Sequence, residues 1–169
     1  MIERLIPPAT DDDIRGLADV LADAVASGAS VSFMDSFDAE RAAEWWRQTL
    51  ASSRERAIFL VARDAEGIVG TVQVQPAWAP NQPHRGDVAK LLVHRRARGK
   101  GVGAELMRAV ESHARDAGYT LLTLDTVRGD AAERLYEREG WSRVGVIPDY
   151  ALYPDGTLCD TVIFYKKLL

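Results

Sequence analysis

Ile14, Leu17, Ala18, Leu21 and Val25 recur at intervals of three and four residues, which lays a single apolar stripe along a first helix. Thr10 or Asp11 precedes the stripe as an N-cap, acids fill its first turn where the helix end is positive, and Gly28 is a natural stop. "DAERAAEWWRQTL", starting at Asp38, reads as a second helix whose Trp45 and Trp46 form core or groove wall rather than a cofactor stack. The period then changes. "MIERLI" before the first helix alternates as a short strand does, and "RAIFLVARDAEGIVGTVQVQPAW" holds two β-rich runs broken at residues 64–67, the pattern of a hairpin.

After a Pro-rich loop over residues 78–85, "RGDVAKLLVHRR" is a further strand through Val88, Leu91 and Val93. Leu106, Ala109, Val110 and Ala117 share one face of a helix that starts at Val102 and ends at Gly118. "YTLLTLDTV" is a buried strand, and "DAAERLYEREG" is a short helix capped by Asp130 and stopped by Gly140. "WSRVGVIPDYAL" is a strand interrupted at Pro148, and "DTVIFYKKL" follows the turn at Pro154-Asp155-Gly156 as the last strand. No internal repeat or interdomain linker appears, and 169 residues fit one domain, 1–169.

Composition narrows the function. With 47% hydrophobic and 27% charged residues the chain has the balance of a soluble globular protein, and a net charge of −4 argues against a general nucleic-acid binder. The single Cys159 forms no internal disulfide, the start lacks an apolar signal core, and no stretch approaches the roughly 18 apolar residues of a membrane span. The expected location is the cytoplasm, with no membrane or nucleic-acid partner.

Against that acidic background "HRRARGKGVGAEL", residues 94–106, is a local basic and glycine-rich stretch between strand and helix. Such a junction offers unpaired backbone N–H groups at a positive helix end, where a phosphate can sit. It is equally a glycine-rich turn with solvated cations. Taken as Gly99-x-Gly101-x-x-Ala104 it approximates a dinucleotide fingerprint, with Asp125 at about the distance of a ribose contact. Five mostly polar residues, however, separate the strand from Gly99, and too little chain follows for a doubly wound domain. No Gly-Lys-Ser or Gly-Lys-Thr is present for a nucleotide-triphosphate loop, and no Gly-x-Ser-x-Gly elbow for a serine hydrolase.

Taken as Arg98-x-x-Gly101-x-Gly103, the stretch resembles the pyrophosphate-binding motif of the GNAT superfamily of acyl-CoA-dependent N-acetyltransferases. "VAKLLV" looks like its fourth strand, "LLTLDTV" its fifth and "AAERLYEREGW" the helix after that, and "RGDVAKLLV", "LLTLDT", "AERLY" and "VGVIPDYALYPDGTLCDTVIFYKKL" resemble the branch containing the tabtoxin-resistance acetyltransferase. The resemblance implies a mixed α+β three-layer sandwich, with four main helices and a largely antiparallel sheet of about seven strands splayed between strands 4 and 5. It implies acetyl-CoA as cosubstrate, no metal, and a small-molecule amine as acceptor, with a toxin or antibiotic among the candidates. It assigns Leu91, Leu92 and Val93 to the pantetheine arm, and Arg98, Gly99, Lys100, Gly101, Val102, Gly103 and Ala104 to the pyrophosphate. Gly129 stands where the superfamily often has an Asn contacting the cofactor.

Acetyl transfer needs a deprotonated amine, a polarised carbonyl and a proton for the departing thiolate. Asp87, early in the fourth strand, and Asp125, late in the fifth, are the candidate bases; each could equally be a solvated strand-end acid or a turn cap. Tyr136 matches the superfamily's general-acid tyrosine, and the N–H of Leu92 or Val93 would polarise the carbonyl if a bulge turns it from sheet pairing. His84, His94 and His113 have no metal-ligand spacing. Asp35, Tyr150, Tyr153 and Asp160 are candidate acceptor contacts, and the excursion 148–159 would line the amine pocket or join a homodimer surface. A non-catalytic acyl-CoA sensor and an NADP-dependent oxidoreductase are the alternatives.

Overall fold

A computed structural model describes residues 1–34 and 37–168 of the chain. Seven strands, β1 (Ile2–Arg4), β2 (Ile58–Asp64), β3 (Gly67–Pro76), β4 (Arg85–Val93), β5 (Leu121–Val127), β6 (Ser142–Leu152) and β7 (Leu158–Lys167), form one sheet in the order β1-β2-β3-β4-β5-β7-β6. Four helices accompany it: α1 (Asp11–Ala26), α2 (Ala39–Ala51), α3 (Val102–Asp116) and α4 (Ala131–Arg138). This is the mixed α+β sandwich that the resemblance implies.

The strand period explains the layers. Ile58, Leu60 and Ala62 of β2 pack into a core with Leu106, Met107 and Val110 of α3, whereas the intervening Phe59 and Val61 pack with Leu17 and Leu21 of α1 and Trp46 of α2. A strand buried on both faces is what a central position between two helix layers requires. Trp46 is wholly buried and its indole N–H donates to the Leu17 carbonyl at 3.1 Å, so one of the two tryptophans is core.

Helix boundaries follow capping chemistry. Thr10, not Asp11, caps α1, in a reciprocal box in which Thr10 Oγ1 accepts from the Asp13 N–H and Asp13 accepts from the Thr10 N–H. Gly28 turns left-handed (φ 82°) after α1, and the Ala29 N–H reaches the Ala24 carbonyl at 3.1 Å. Asp130 occupies the N-cap position of α4 but makes no side-chain cap; Glu133 instead accepts the Gly129 N–H. Strand β6 runs through Pro148 rather than stopping there. It is an edge strand, where a missing N–H is tolerated, and the cost is confined to a register irregularity between Ile147 and Ala151 with Asp149 at φ 51°.

Five of the six neighbouring strand pairs are antiparallel; β4 and β5 run parallel, and they pair only through Arg85–Leu121, Gly86–Leu122 and Asp87–Thr123 before parting. Gly86 lies at this junction, where an added Cβ would fall 2.6 Å from Val74 Cγ1 and 3.2 Å from Leu122 Cδ2. Valine is stiff at χ1 and cannot swing aside. Gly86→Ala should therefore lower unfolding stability by about 1–3 kcal/mol, measurable by urea denaturation.

Candidate active site

Beyond Asp87 and Thr123 the unpaired ends of β4 and β5 open a cleft of about 1140 Å³. Leu91, Leu92 and Val93 of β4 line it, with Asp125 of β5, Tyr136 of α4, the α1–α2 loop and the β6–β7 hairpin. A bulge sits in β4. Thr71 pairs with Leu92 but Gln73 pairs with Ala89, so Lys90 and Leu91 together oppose Val72, and Lys90 adopts φ 53°. One consequence is a change of face: Val88 enters the core beneath α3, while Leu92 enters the core beneath α1.

The bulge lies before the two residues whose amides the sequence reading considers. The His94 N–H donates to the Val69 carbonyl at 2.8 Å, and alternation along the ladder then directs the Leu92 groups to β3 and the Val93 N–H to the open side. Of that pair, Val93 is the available donor and Leu92 is not.

From Val93 the chain makes one 3-10 turn, Arg95–Ala97, and enters α3 through Gly99 and Gly101. Both glycines are left-handed, at φ 74° and 82°, with no atom within 4 Å of a notional Cβ. Gly101 is the N-cap of α3 and offers no side chain, so the first N–H groups of a 15-residue helix have no side-chain cap. Arg98, Gly99, Gly101, Val102, Gly103 and Ala104 line this end of the cleft, whereas Lys100 is exposed and outside the lining. An open left-handed backbone at a positive helix end fits a pyrophosphate, and the same cleft continues along Leu91, Leu92 and Val93.

The arginines of the turn are engaged elsewhere. Asp23 of α1, whose side chain is 6% exposed, accepts the Arg95 backbone N–H at 2.9 Å, the Arg95 guanidinium, and Arg98 Nη2 at 3.2 Å. Arg98 Nε also donates to the Val93 carbonyl at 3.0 Å. Burial alone would raise the Asp23 carboxyl, but the hydrogen bonds from Arg95 and the charges of His94 and Arg95 hold it below the ordinary carboxylate range. Arg98 thus braces the loop against α1 while lining the same end of the cleft. Nothing in the sequence marked Asp23 except its place four residues before Ser27, whose hydroxyl meets the same two arginines.

Asp125 and Tyr136 come together; Asp87 does not join them. Thr161 Oγ1 lies 3.0 Å from the Thr126 carbonyl and 3.2 Å from Asp125 Oδ2, sharing its one proton between them, and Asp125 lines the cleft. Tyr136 is 5% exposed, packs its ring against Trp141 and Phe164, and lines the cleft. Burial, with the Asp125 charge adding to it, pushes this phenol well above its ordinary range, so it keeps its proton. Asp87 lies at the closed base of the fork, held by Arg85 and by Thr123 Oγ1, and does not line the cleft. Parallel pairing carries its side chain to Thr123, two residues short of Asp125.

At the other end, Tyr150 and Tyr153 line the cleft. Asp160 does so too, but it receives Arg128 Nη1 at 3.3 Å and the Asp149 N–H at 3.1 Å, so it also ties the hairpin together. Asp35 lies outside the described residues. Gly129 has φ 85°, in the left-handed region that favours glycine, and it offers no side-chain amide to the cleft. Lys90, unremarked in the sequence, extends into the cleft beside the α1–α2 loop. Trp45 is half-buried against Phe33 and Lys90, a groove wall. Among the described residues no three His, Cys, Asp or Glu side chains converge as a metal site, and no helix is long and apolar enough to cross a membrane.

Residues 22–141 match the model of the acetyltransferase (GNAT) family. The chain belongs to that family. Over 138 residues this GNAT protein is 29% identical to the L-methionine sulfoximine/L-methionine sulfone acetyltransferase of Pseudomonas paraeruginosa, covering 80% of this chain and 78% of that one. It is 36% identical over 89 residues to human N-acetyltransferase 8B, but that match spans 52% of this chain and only 39% of the human protein. Its fold superimposes on yncA of Salmonella typhimurium, solved with its cofactor acetyl-CoA, with a TM-score of 0.79 at 18% identity over 99% of this chain and 94% of that one.

Asp23→Asn should raise the Kd for CoA several-fold, read by calorimetry, because the loop loses its brace. It should also lower stability by about 1–3 kcal/mol at neutral pH. Since the folded carboxyl is depressed, its contribution is present above the unfolded carboxylate pKa and lost as pH falls through the folded one. The stability gap between wild type and variant should narrow over that acid range in denaturation series.

Proposed function

We propose that this GNAT protein transfers an acetyl group from acetyl-CoA directly to the amine of a small molecule. The observation that carries the reading is the pairing, in one cleft, of a proton-bearing phenol, Tyr136, with a cleft-facing carboxylate, Asp125, beside a glycine loop of unpaired N–H groups. When bound, acetyl-CoA supplies the acetyl group on a thiol leaving group.

The chain's own residues divide the remaining work. The amides from Gly99 to Ala104 hold the pyrophosphate, and the Val93 N–H donates to the carbonyl oxygen. Asp125, directly or through one water, takes a proton from the acceptor's ammonium so that its lone pair is free to attack. As the new C–N bond forms and the C–S bond breaks, Tyr136 protonates the departing sulfur, and the second proton that the attacking nitrogen loses on becoming an amide passes, directly or through water, to the Tyr136 phenolate. Asp87 acts at a distance, by fixing Thr123 and the fork from which Asp125 projects.

A small acceptor is supported by the family and by the L-methionine sulfoximine/L-methionine sulfone acetyltransferase of Pseudomonas paraeruginosa, which the chain resembles over most of its length. The finer placement, in the tabtoxin-resistance branch with a toxin or antibiotic as acceptor, rests on the stretch from Val144 to Leu168 and on "RGDVAKLLV". An acyl-CoA sensor would keep the cradle without turnover. Tight CoA binding with no amine-dependent thiol release across a broad amine panel would establish that alternative.

Tyr136→Phe should cut kcat at least tenfold while changing the Kd for acetyl-CoA less than twofold, in steady-state and binding assays. Unchanged kcat with chemistry rate-limiting would remove Tyr136 from the mechanism. Asp125→Asn should suppress or shift the pH–rate profile; a change confined to the acceptor KM would make Asp125 a recognition residue instead.

A further inference from the structure

Lys90 stands out among the charged groups that the proposed reaction leaves without a task. Six charged side chains line the cleft among the described residues: Lys90, Arg98, Asp125, Asp130, Arg138 and Asp160. Arg98 is engaged by Asp23, Asp160 by Arg128, and Asp130 and Arg138 belong to the two ends of α4. The bulge in β4 turns Lys90 toward the α1–α2 loop, where its Nζ donates to the Val31 carbonyl at 2.9 Å and to Ser32 Oγ at 3.1 Å. It lies 5.4 Å from the ring centres of both Phe33 and Trp45.

These partners are neutral. An ammonium has three N–H donors, so two hydrogen bonds leave one free, and its full charge meets no carboxylate in a salt bridge among the described residues. Withdrawing a cation from water is unfavourable unless an anion compensates it, and the rings recover only part of that loss. Burial accordingly pulls the Lys90 ammonium down from the ordinary lysine range, with Asp125 across the fork opposing the shift. The acceptor end of the cleft therefore presents a cation on β4 and an anion on β5.

Resting on the acetyltransferase reading, we infer that Lys90 anchors a negatively charged group of the acceptor, so that the preferred acceptor is an amine that also carries a carboxylate or a comparable oxyanion. The amine of such a molecule faces Asp125 and its anionic group faces Lys90. Polycationic amines are disfavoured by the same charge. Lys90 is a specificity-determining residue in this scheme, and its two hydrogen bonds to the loop orient the ammonium.

The test compares each of a set of L-amino acids with its own decarboxylated amine, for example phenylalanine with phenethylamine and leucine with isoamylamine. Binding to CoA-saturated protein is read by calorimetry and acetylation by thiol release, for wild type, Lys90→Met and Lys90→Arg. Wild type should favour the carboxylate-bearing member at least tenfold in affinity or in kcat/KM. Lys90→Met should abolish that preference and Lys90→Arg should restore most of it. If Lys90 only fastened the loop, Lys90→Met would weaken both members of each pair alike. That result, retention of the preference in Lys90→Met, or equal responses to both members in wild type overturns the inference. Failure of the acetyltransferase reading has a different signature: no thiol release from any member while the calorimetric arm still reports on Lys90.

Discussion

Strands β4 and β5 run side by side for three residue pairs and then separate, and the rest of the site depends on that parting. A strand within a sheet ordinarily uses both edges. Here the far half of β4 keeps β3 on one side and loses its neighbour on the other, while β5 retains β7 throughout. The released edge leaves backbone groups such as the Val93 N–H facing open space. The two diverging strands also carry Lys90 and Asp125 to opposite walls of the same opening. The helix that follows β4 begins on the same opening, so its unpaired first turn and the unpaired strand edge face one ligand path.

The bulge within β4 refines this arrangement. By placing Lys90 and Leu91 opposite a single residue of β3, it exchanges the faces of the strand midway. Val88 before it and Leu92 after it both reach a core, although the cores lie on opposite sides of the sheet. The left-handed Lys90 is a locally unfavourable conformation for a non-glycine residue, held by contacts to the α1–α2 loop.

Charge is distributed less simply than the basic turn suggests. Arg95 and Arg98 converge on Asp23, and Arg96 on Asp64, so most of the cations between residues 94 and 100 stabilise the loop. What faces the pyrophosphate path is mainly backbone: two left-handed glycines and the uncapped end of α3. Hydrogen bonds from a fixed backbone are already oriented before a ligand arrives, whereas flexible guanidinium groups would have to be ordered on binding.

Periodicity alone was enough to read the elements, because the alternation of Ile58 to Ala62 and the three-and-four spacing in α1 are direct imprints of the two sides of a sheet and one side of a helix. The glycines at 99 and 101 and the Leu-Tyr pair of α4 pointed to the donor half of the cleft, since left-handed turns restrict residue type strongly. Three features became visible only in three dimensions. Asp87 and Asp125 both qualified as bases along the chain, and parallel register separated them. Arg98 looked like a phosphate ligand, and only the packing of α1 showed that Asp23 also holds it. Lys90 looked like an ordinary polar strand residue, because a bulge has no fixed sequence signature and its partners lie some sixty residues away. Local chemistry is written in local sequence; which charges meet is decided by the packing of elements distant along the chain.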